Sequence, residues 1–405
     1  QTTFNTSNFG FETPANISTL FIKDDFADAL YNEATKKGMK IDKIKLETVE
    51  PKNLFAQMGQ ISEQRKTGDP KLRNIVFMYI EPSKSNTHDE LKLFERFYCM
   101  TTQHLKLENA MELFSNRPTM ENVLLKLNVK GGGHNYKVKP EIFGEKLWMD
   151  RQTMIMGYDV WHPTGQSRAD KMADRLPDPS VVGFSFNGGV QSESFIGDYH
   201  FQEATKERRS RGFLPPLIIV VRDGISDGQH SHGMDELEVL RKGANEYAQP
   251  PDSTYKPKFI FTIATKRHHK RAYMDGGRGP MNMPAMSVVD DTITSPILFE
   301  FFMQSHTPIK GMAKATRYIV LKDDVGTNQD AMQSLMGALC FEHQVSNNAI
   351  SIPEPVYQSD EWAKRGASNM RKYKELFGEQ GQFKKDATYE KLTRILSYWN
   401  SPLER

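Results

Sequence analysis

Two short runs of this sequence read as very apolar, buried strands, and each delivers a single acid near its end. TMIMGYDVWHP (residues 153–163) carries Asp159, and LPPLIIVVRDG (residues 214–224) carries Asp223. A carboxylate at the end of a buried strand is held rigidly at the rim of the sheet. Two such acids on neighbouring strands can share hard divalent cations, because Mg²⁺ takes oxygen ligands in near-octahedral geometry. A pair of ions roughly 4 Å apart stabilises both the attacking and the leaving oxygen in phosphodiester hydrolysis. Strand-end Asp residues are also common turn formers, so the spacing alone leaves both readings open.

The rest of the pattern alternates strands with helices. TLFIKDDFADALYNEATKKGMKIDKIKLETV reads as an apolar run, a helix and a return to β-rich residues, and RNIVFMYIEP as a buried strand ended by Pro82. THDELKLFERFYCMTTQHL reads as a charged helical stretch, and TMENVLLKLNVK as a second helix ending in Gly131-Gly132-Gly133. VVGFSFNGG and SESFIGDYHFQ suggest an antiparallel pair; PKFIFTIATKRHH and RYIVLKDD are further strands; MDELEVLRKGANEYA and DAMQSLMGALCFEHQV are helices. The expectation is an α/β protein, with a linker at 1–14, one domain at 15–138 and a second at 139–405.

Composition sets outer limits. A chain of 405 residues has the length of two or three domains. A net charge of +2 neither supports nor opposes nucleic-acid binding, since a basic groove can hide in a balanced total. The two cysteines, Cys99 and Cys340, form no disulfide or metal pattern and suggest a reducing compartment. No apolar run approaches the roughly 20 residues that span a bilayer, so no membrane partner is expected. The chain begins at Gln1 and reads as a fragment of something longer.

The text around the two acids resembles the PIWI domain of Argonautes. IMGYDVWHPTG, VVGFSFNGG, LIIVVRDGISDGQ, FIFTIATKRHHKRAY, VVDDTITSPILFEFFMQSHTPIKGMAKATRYIVLKDD and SIPEPVYQSDEW follow in the family's order, and upstream TTQHL and TMENVLLKLNVKGGGHNY resemble its MID domain. The resemblance covers about residues 15–400. THDELKLFERFYCMTTQHL, LPDPSVVGFSFNGG and FIGDYHFQEATKE look most like the worm-specific nematode Argonautes. Most of that clade has lost its cutting residues, whereas acids stand at all four aligned positions here.

The resemblance implies a Rossmann-like MID domain followed by an RNase-H-like PIWI domain. It implies Asp159, Glu203, Asp223 and Asp360 as the catalytic set, with Asp159, Asp223 and Asp360 holding Mg²⁺ or Mn²⁺. Asp360 follows the IPxPxY motif, here Ile352 to Tyr357, where animal slicers usually carry His. Carboxylate oxygen suits those ions at least as well as imidazole. Glu203 is the aligned glutamate finger, with Glu193 and Glu207 as rivals. The segment from Glu203 to Asp223 is shorter than the family's long helix, and its ERRSRGFLPP is a poor helix interior.

A pocket for the guide's 5′ phosphate is also implied. Lys126 and Lys130, four apart on one helix face, match the family's paired lysines, and Gln103 and Lys92 match its glutamine and its other lysine. His88 stands where most members stack a Tyr on the first base, and when protonated it would add charge. Arg365 lies where a PIWI arginine reaches across. KRHHKR (Lys266, Arg267, His268, His269, Lys270, Arg271) is a basic cluster following a strand. From it Lys266 and Arg271, with His306, Lys310, Ser351 and Tyr357, match positions that touch the guide backbone. Such contacts give affinity without sequence information.

The leading expectation is a metal-dependent endoribonuclease that cuts RNA paired to a small guide, leaving 5′-phosphate and 3′-hydroxyl ends. Its partners would be a guide RNA, which the clade begins with a 5′-triphosphate, a complementary target RNA and silencing proteins. The protein would be a monomer of the cytoplasm, perinuclear germ granules or nucleus. The alternatives are a guide-loaded Argonaute that regulates by binding alone, and an unrelated RNase-H-like nuclease such as an integrase.

Overall fold

The computed structural model describes residues 16–17, 19–21, 24–42, 44–45, 49–66, 75–113, 115–140, 147, 153–163, 178–188, 194–202, 215–247, 255–277, 279–377, 392–393 and 396. Its first half contains β1 (Asn16–Ile17), β2 (Thr19–Phe21), α1 (Asp24–Lys36), β3 (Lys40–Ile41), β4 (Ile44–Lys45), α2 (Leu54–Lys66) and β5 (Ile75–Glu81). It continues with α3 (His88–Phe97), β6 (Thr101–Lys106), α4 (Leu107–Glu112) and α5 (Arg117–Lys130). Strands β4, β2, β5 and β6 form a parallel four-stranded sheet in that order. The central IVFMYIE of β5 is almost wholly buried, as a strand covered on both faces must be. Helix α5 is opened by Asn116, whose side chain accepts from the Thr119 amide at 3.3 Å.

One stretch departs from its pattern. The helical reading of residues 87–105 holds only to Phe97; Cys99 then takes a φ of 47°, and Thr101–Lys106 is a strand. A left-handed residue cannot continue a helix. The β-branched Thr101 and Thr102 then fit a buried pleat.

The second half contains β7 (Thr153–Trp161), β8 (Ser180–Asn187), β9 (Phe195–Gln202), β10 (Leu217–Asp223), α6 (His230–Tyr247) and β11 (Lys258–Thr265). Beyond it lie β12 (Tyr273–Asp275), β13 (Pro280–Asn282), β14 (Ser287–Val289), β15 (Phe299–Gln304), β16 (Thr316–Asp323), α7 (Gln329–Phe341) and α8 (Glu354–Phe377). Eight strands make one mixed sheet in the order β14-β15-β16-β11-β10-β7-β8-β9. The strands β7, β10 and β11 are parallel neighbours, while β8 and β9 form the antiparallel pair. Helix α6 sits on a core that includes Val220, Leu237, Phe259 and Phe261. Helix α7 and the start of α8 share another with Ile219, Ile260, Leu335 and Val356.

Helix α8 lies unusually close to the sheet. A Cβ on Gly157 of β7 would stand 2.3 Å from the Pro355 carbonyl carbon, and one on Gly183 of β8 2.0 Å from the Ser359 carbonyl oxygen. Only a residue without a side chain permits that backbone approach. The halves join along α3 and α8. Leu93 and Phe97 of α3 pack with Val181, Tyr199, Phe201, Met370 and Tyr373. Within that seam Arg96 pairs with Asp198 at 3.1 Å, both side chains 2% exposed. The Arg96 guanidinium also lies over the rings of Tyr199 and Trp362, at 4.9 and 4.7 Å. No helix among the described residues is long and apolar enough to cross a membrane.

The close approach generates a prediction. Gly183→Ala should cost about 1–3 kcal/mol by overpacking and lower the melting temperature by several degrees. Gly228→Ala, where a new Cβ meets nothing within 4 Å, should leave it unchanged. Equal melting of the two variants would show that α8 can retreat from the sheet.

Candidate active site and anion pocket

Two sites lie on opposite sides of α8. The first gathers the acids. Arg222 of β10 registers with Tyr158 of β7, so Asp223 follows beside Asp159 on the neighbouring parallel strand. Asp223 is the last residue of β10, but Asp159 lies inside β7, which continues to Trp161 along β8. Burial pushes the Asp159 carboxyl up to about 6, with the charges of Asp223 and Asp360 adding to the effect. Burial likewise raises Asp223, and Asp360 adds to it. Asp360, on the second turn of α8, therefore faces both strand acids.

The three carboxylates do not close around one point. Among the described residues no group of three or more His, Cys, Asp and Glu side chains has a geometry that could hold a metal ion. Asp360 is engaged instead by Lys364, whose Nζ donates to Oδ2 at 2.6 Å and to Glu361 at 3.2 Å. The donor chemistry of Asp159 and Asp223 nevertheless fits a hard divalent cation: all oxygen, partly buried and short of positive charge. Arg222 acts on both carboxylates only through its field, since its Nε and Nη2 hold Glu236 at 3.1 and 3.2 Å. Glu203, Glu207 and Glu193, the candidates for a fourth acid, lie outside the described residues.

The second site is cationic. Lys92 of α3 donates from Nζ to Glu95 at 2.5 Å and to the Thr102 hydroxyl at 2.8 Å. Lys130, the last residue of α5, reaches the Thr102 carbonyl and Gln103 Oε1, each at 2.7 Å. Burial pulls Lys130 well below the ordinary lysine range, and the neighbouring Lys92 ammonium pulls it further. Burial also lowers Lys92, partly offset by Glu95. Against the opposing effect of burial, Lys92 and Lys130 hold the Glu95 carboxyl low. Arg365 reaches this cluster from α8: its field acts on Lys92, Lys130 and His88, and burial lowers its own pKa. Its Nη1 is buried with no hydrogen-bond partner.

Sequence matching thus placed Lys92, Gln103, Lys130 and Arg365 in one place, with His88 beside them. Lys126 stands exposed on the same helix, near enough for its charge to act on Lys130. Burial lowers the His88 pKa, the hydrogen bond to Asp89 at 3.1 Å opposes that, and the charges of Arg365, His104 and Lys92 lower it further. Its ring meets His104 edge-on at 5.1 Å. Glu95 and Thr102 were missed; the spacing of Lys92 and Glu95, three apart on a helix, was the available signal.

The remaining matched residues separate into two groups. Lys266 donates to Ser351 Oγ at 2.5 Å, and its charge acts on His306, whose Nδ1 is buried without a partner. Tyr357 packs its ring edge-on against His343 at 4.6 Å. Lys310 is exposed on another loop. Arg271 turns inward, donating to the carbonyls of His268 and Lys270 at 2.8 and 2.7 Å, so part of the basic cluster serves to fold its own loop. Arg267 contributes to the field at Asp223, which sets this loop beside the acids.

The Asp159 shift has a definite sign. A folded-state carboxyl raised above the ordinary aspartate value binds its proton more tightly than the unfolded chain does. Stability therefore falls as pH rises from about 4 to about 6, then levels off. With chelator present, Asp159→Asn should be more stable than the parent at pH 7.5, by on the order of 1–3 kcal/mol. That gain should disappear near pH 4. Denaturant melts at both pH values check it; a pH-independent difference would place its origin in packing.

Comparison with known proteins agrees with this architecture. Residues 74–371 match the Piwi domain. The chain is 30% identical over 368 residues to Argonaute protein wago-1 of Caenorhabditis elegans, covering 85% of this chain and 36% of that protein. It is 32% identical over 286 residues to Protein argonaute-2 of Drosophila melanogaster, covering 65% of this chain and 22% of that protein. The chain thus spans about a third or less of these relatives' length. Among solved structures, the C-terminal lobe of a budding yeast Argonaute superposes with a TM-score of 0.76 at 18% identity, covering 98% of this chain and 88% of that one. Kluyveromyces polysporus Argonaute with a guide RNA gives 0.73 at 19%, covering 95% and 50%. The eight-stranded sheet is the RNase-H-like layer of that fold, and the chain belongs to the Argonaute family, as a MID–PIWI lobe of nematode type.

Proposed function

We propose that this lobe holds the 5′ phosphate of a small guide RNA in the Lys92–Lys130–Arg365 pocket and cuts complementary RNA at the Asp159–Asp223–Asp360 site. The observation that carries the reading is that one helix serves both. Asp360 of α8 faces the strand acids, and Arg365 of the same helix faces the lysines. An anion in the pocket would meet a buried guanidinium N–H that has no partner and two ammonium groups balanced only in part by Glu95. Charge-assisted hydrogen bonds of that kind are the strong ones. A 5′-triphosphate would use the same charges, with exposed Lys126 at the rim.

At the acid site, Asp159 and Asp223 would hold divalent ions and Asp360 would complete the set. Such ions, when bound, activate water and neutralise charge on the transition state. The residues themselves contribute position: parallel register fixes Asp223 beside Asp159, and α8 fixes Asp360 opposite. Lys266 and Ser351, with His306 beside them, would align the guide backbone near the acids. Glu203 remains the proposed fourth acid, and cytoplasm, germ granule or nucleus the proposed place of work. A second reading, regulation by binding without cutting, draws support from the open arrangement of the three acids and the hold of Lys364 on Asp360.

Two measurements test these roles. Lys126→Ala should weaken binding of 5′-phosphorylated RNA by roughly tenfold or more, the worth of one charge-assisted contact; equal affinity at matched salt would remove Lys126 from the pocket. With the full-length protein, a loaded guide, a paired target and Mg²⁺, Asp360→Ala should lose cleavage and keep target binding, while Asp360→His should keep part of it. Normal cutting by Asp360→Ala would overturn the assignment of Asp360. A wild type that binds but never cuts would establish the second reading.

A further inference from the structure

We infer that Lys364 is a resident counter-ion of the acid site, which must release Asp360 Oδ2 before a divalent cation can use it. The inference rests on the proposed role of Asp360 as a ligand. Lys364 lies four residues, one helical turn, beyond Asp360 on α8, so both side chains project from the same face. Its Nζ stands 2.6 Å from Asp360 Oδ2 and 3.2 Å from Glu361 Oε1. Asp360 is thus under two demands: its charge is felt by Asp159 and Asp223, and one of its oxygens is taken by the ammonium.

Three carboxylates facing one another repel unless a cation intervenes. Among the described residues no lysine or arginine is hydrogen-bonded to the carboxylates of Asp159 and Asp223, and Arg222 donates only to the Asp223 backbone carbonyl; the Asp360 carboxylate has Lys364. The ammonium can therefore steady Asp360 when no metal is present. The same contact competes with coordination, because Asp360 Oδ2 must give up its hydrogen bond to Lys364 before a dication can take that oxygen. Both partners are partly solvated, with side chains 30% and 55% exposed. The contact is accordingly weak enough to yield, so Lys364 tunes metal affinity and does not abolish it.

The test is equilibrium Mn²⁺ binding to the purified protein, read from the electron paramagnetic resonance of free Mn²⁺. Lys364→Met keeps the stem and removes the charge, and should bind Mn²⁺ about threefold to tenfold more tightly than wild type. Asp360→Asn should bind it more weakly, and adding Lys364→Met to that background should change nothing further. The half-saturating Mg²⁺ for cleavage should fall in Lys364→Met in step with the Mn²⁺ constant. Weaker binding by Asp360→Asn with no tightening in Lys364→Met would overturn the counter-ion role and leave Asp360 a ligand. Unchanged binding by Asp360→Asn would overturn the ligand reading itself, and the counter-ion role with it. Tightening that persists in the double variant would reduce Lys364 to a general surface charge.

Discussion

The placement of both candidate sites in this lobe depends on how closely the backbone of α8 approaches the sheet. At Gly157 and Gly183 there is no room for a Cβ, because the carbonyls of Pro355 and Ser359 occupy its place. Interiors packed at crystal-like density do not deform smoothly, so this contact fixes the helix in depth. Its consequences run both ways along α8. Asp360 is brought opposite Asp159 and Asp223, and five residues later Arg365 is brought to Lys92 and Lys130.

The proposed anion pocket is also a stability problem. Lys92, Lys130 and Arg365 are gathered around the half-buried carboxylate of Glu95, with Asp89 also acting on Arg365, and burial disfavours the charge on all three. Such a cluster is destabilising on its own and is tolerated where the surroundings over-determine it. The surroundings here are the seam: Leu93 and Phe97 in an apolar cluster shared by both halves, and the Arg96–Asp198 pair locked beneath Trp362 and Tyr199. Removing one partner of a buried pair costs about 3–5 kcal/mol, so the seam is well able to hold the lysines in place. A bound phosphate would offset the repulsion that the seam restrains.

Much of this was legible in the sequence, for identifiable reasons. The apolar runs of β5, β7, β10 and β11 announce buried central strands because no other environment suits them. The helical reading of residues 87–105 failed after Phe97 because side-chain pattern does not report the left-handed turn at Cys99. The KRHHKR cluster reads as open basic surface, yet Arg271 folds back on its own carbonyls and His268 meets the Ala315 carbonyl at 2.7 Å. Charge is visible in a sequence; its local partners are not. Lys364 illustrates the same limit, since an i, i+4 acid–base pair is ordinary on any helix until its acid is seen to face two others.

The helix that carries Asp360 and Arg365 also sets a phase between the two sites. At about 100° and 1.5 Å per residue, five residues separate them by roughly 140° of rotation and about 7.5 Å of rise. Neither quantity can be adjusted by a loop, because the helix runs unbroken from Glu354 to Phe377. Substitutions can retune either site separately, but a single inserted or deleted residue between the two positions would swing one of them to the wrong side of the rod. The chemistry at either position can therefore change by substitution alone, whereas the phase between Asp360 and Arg365 is set by the pitch of an α-helix.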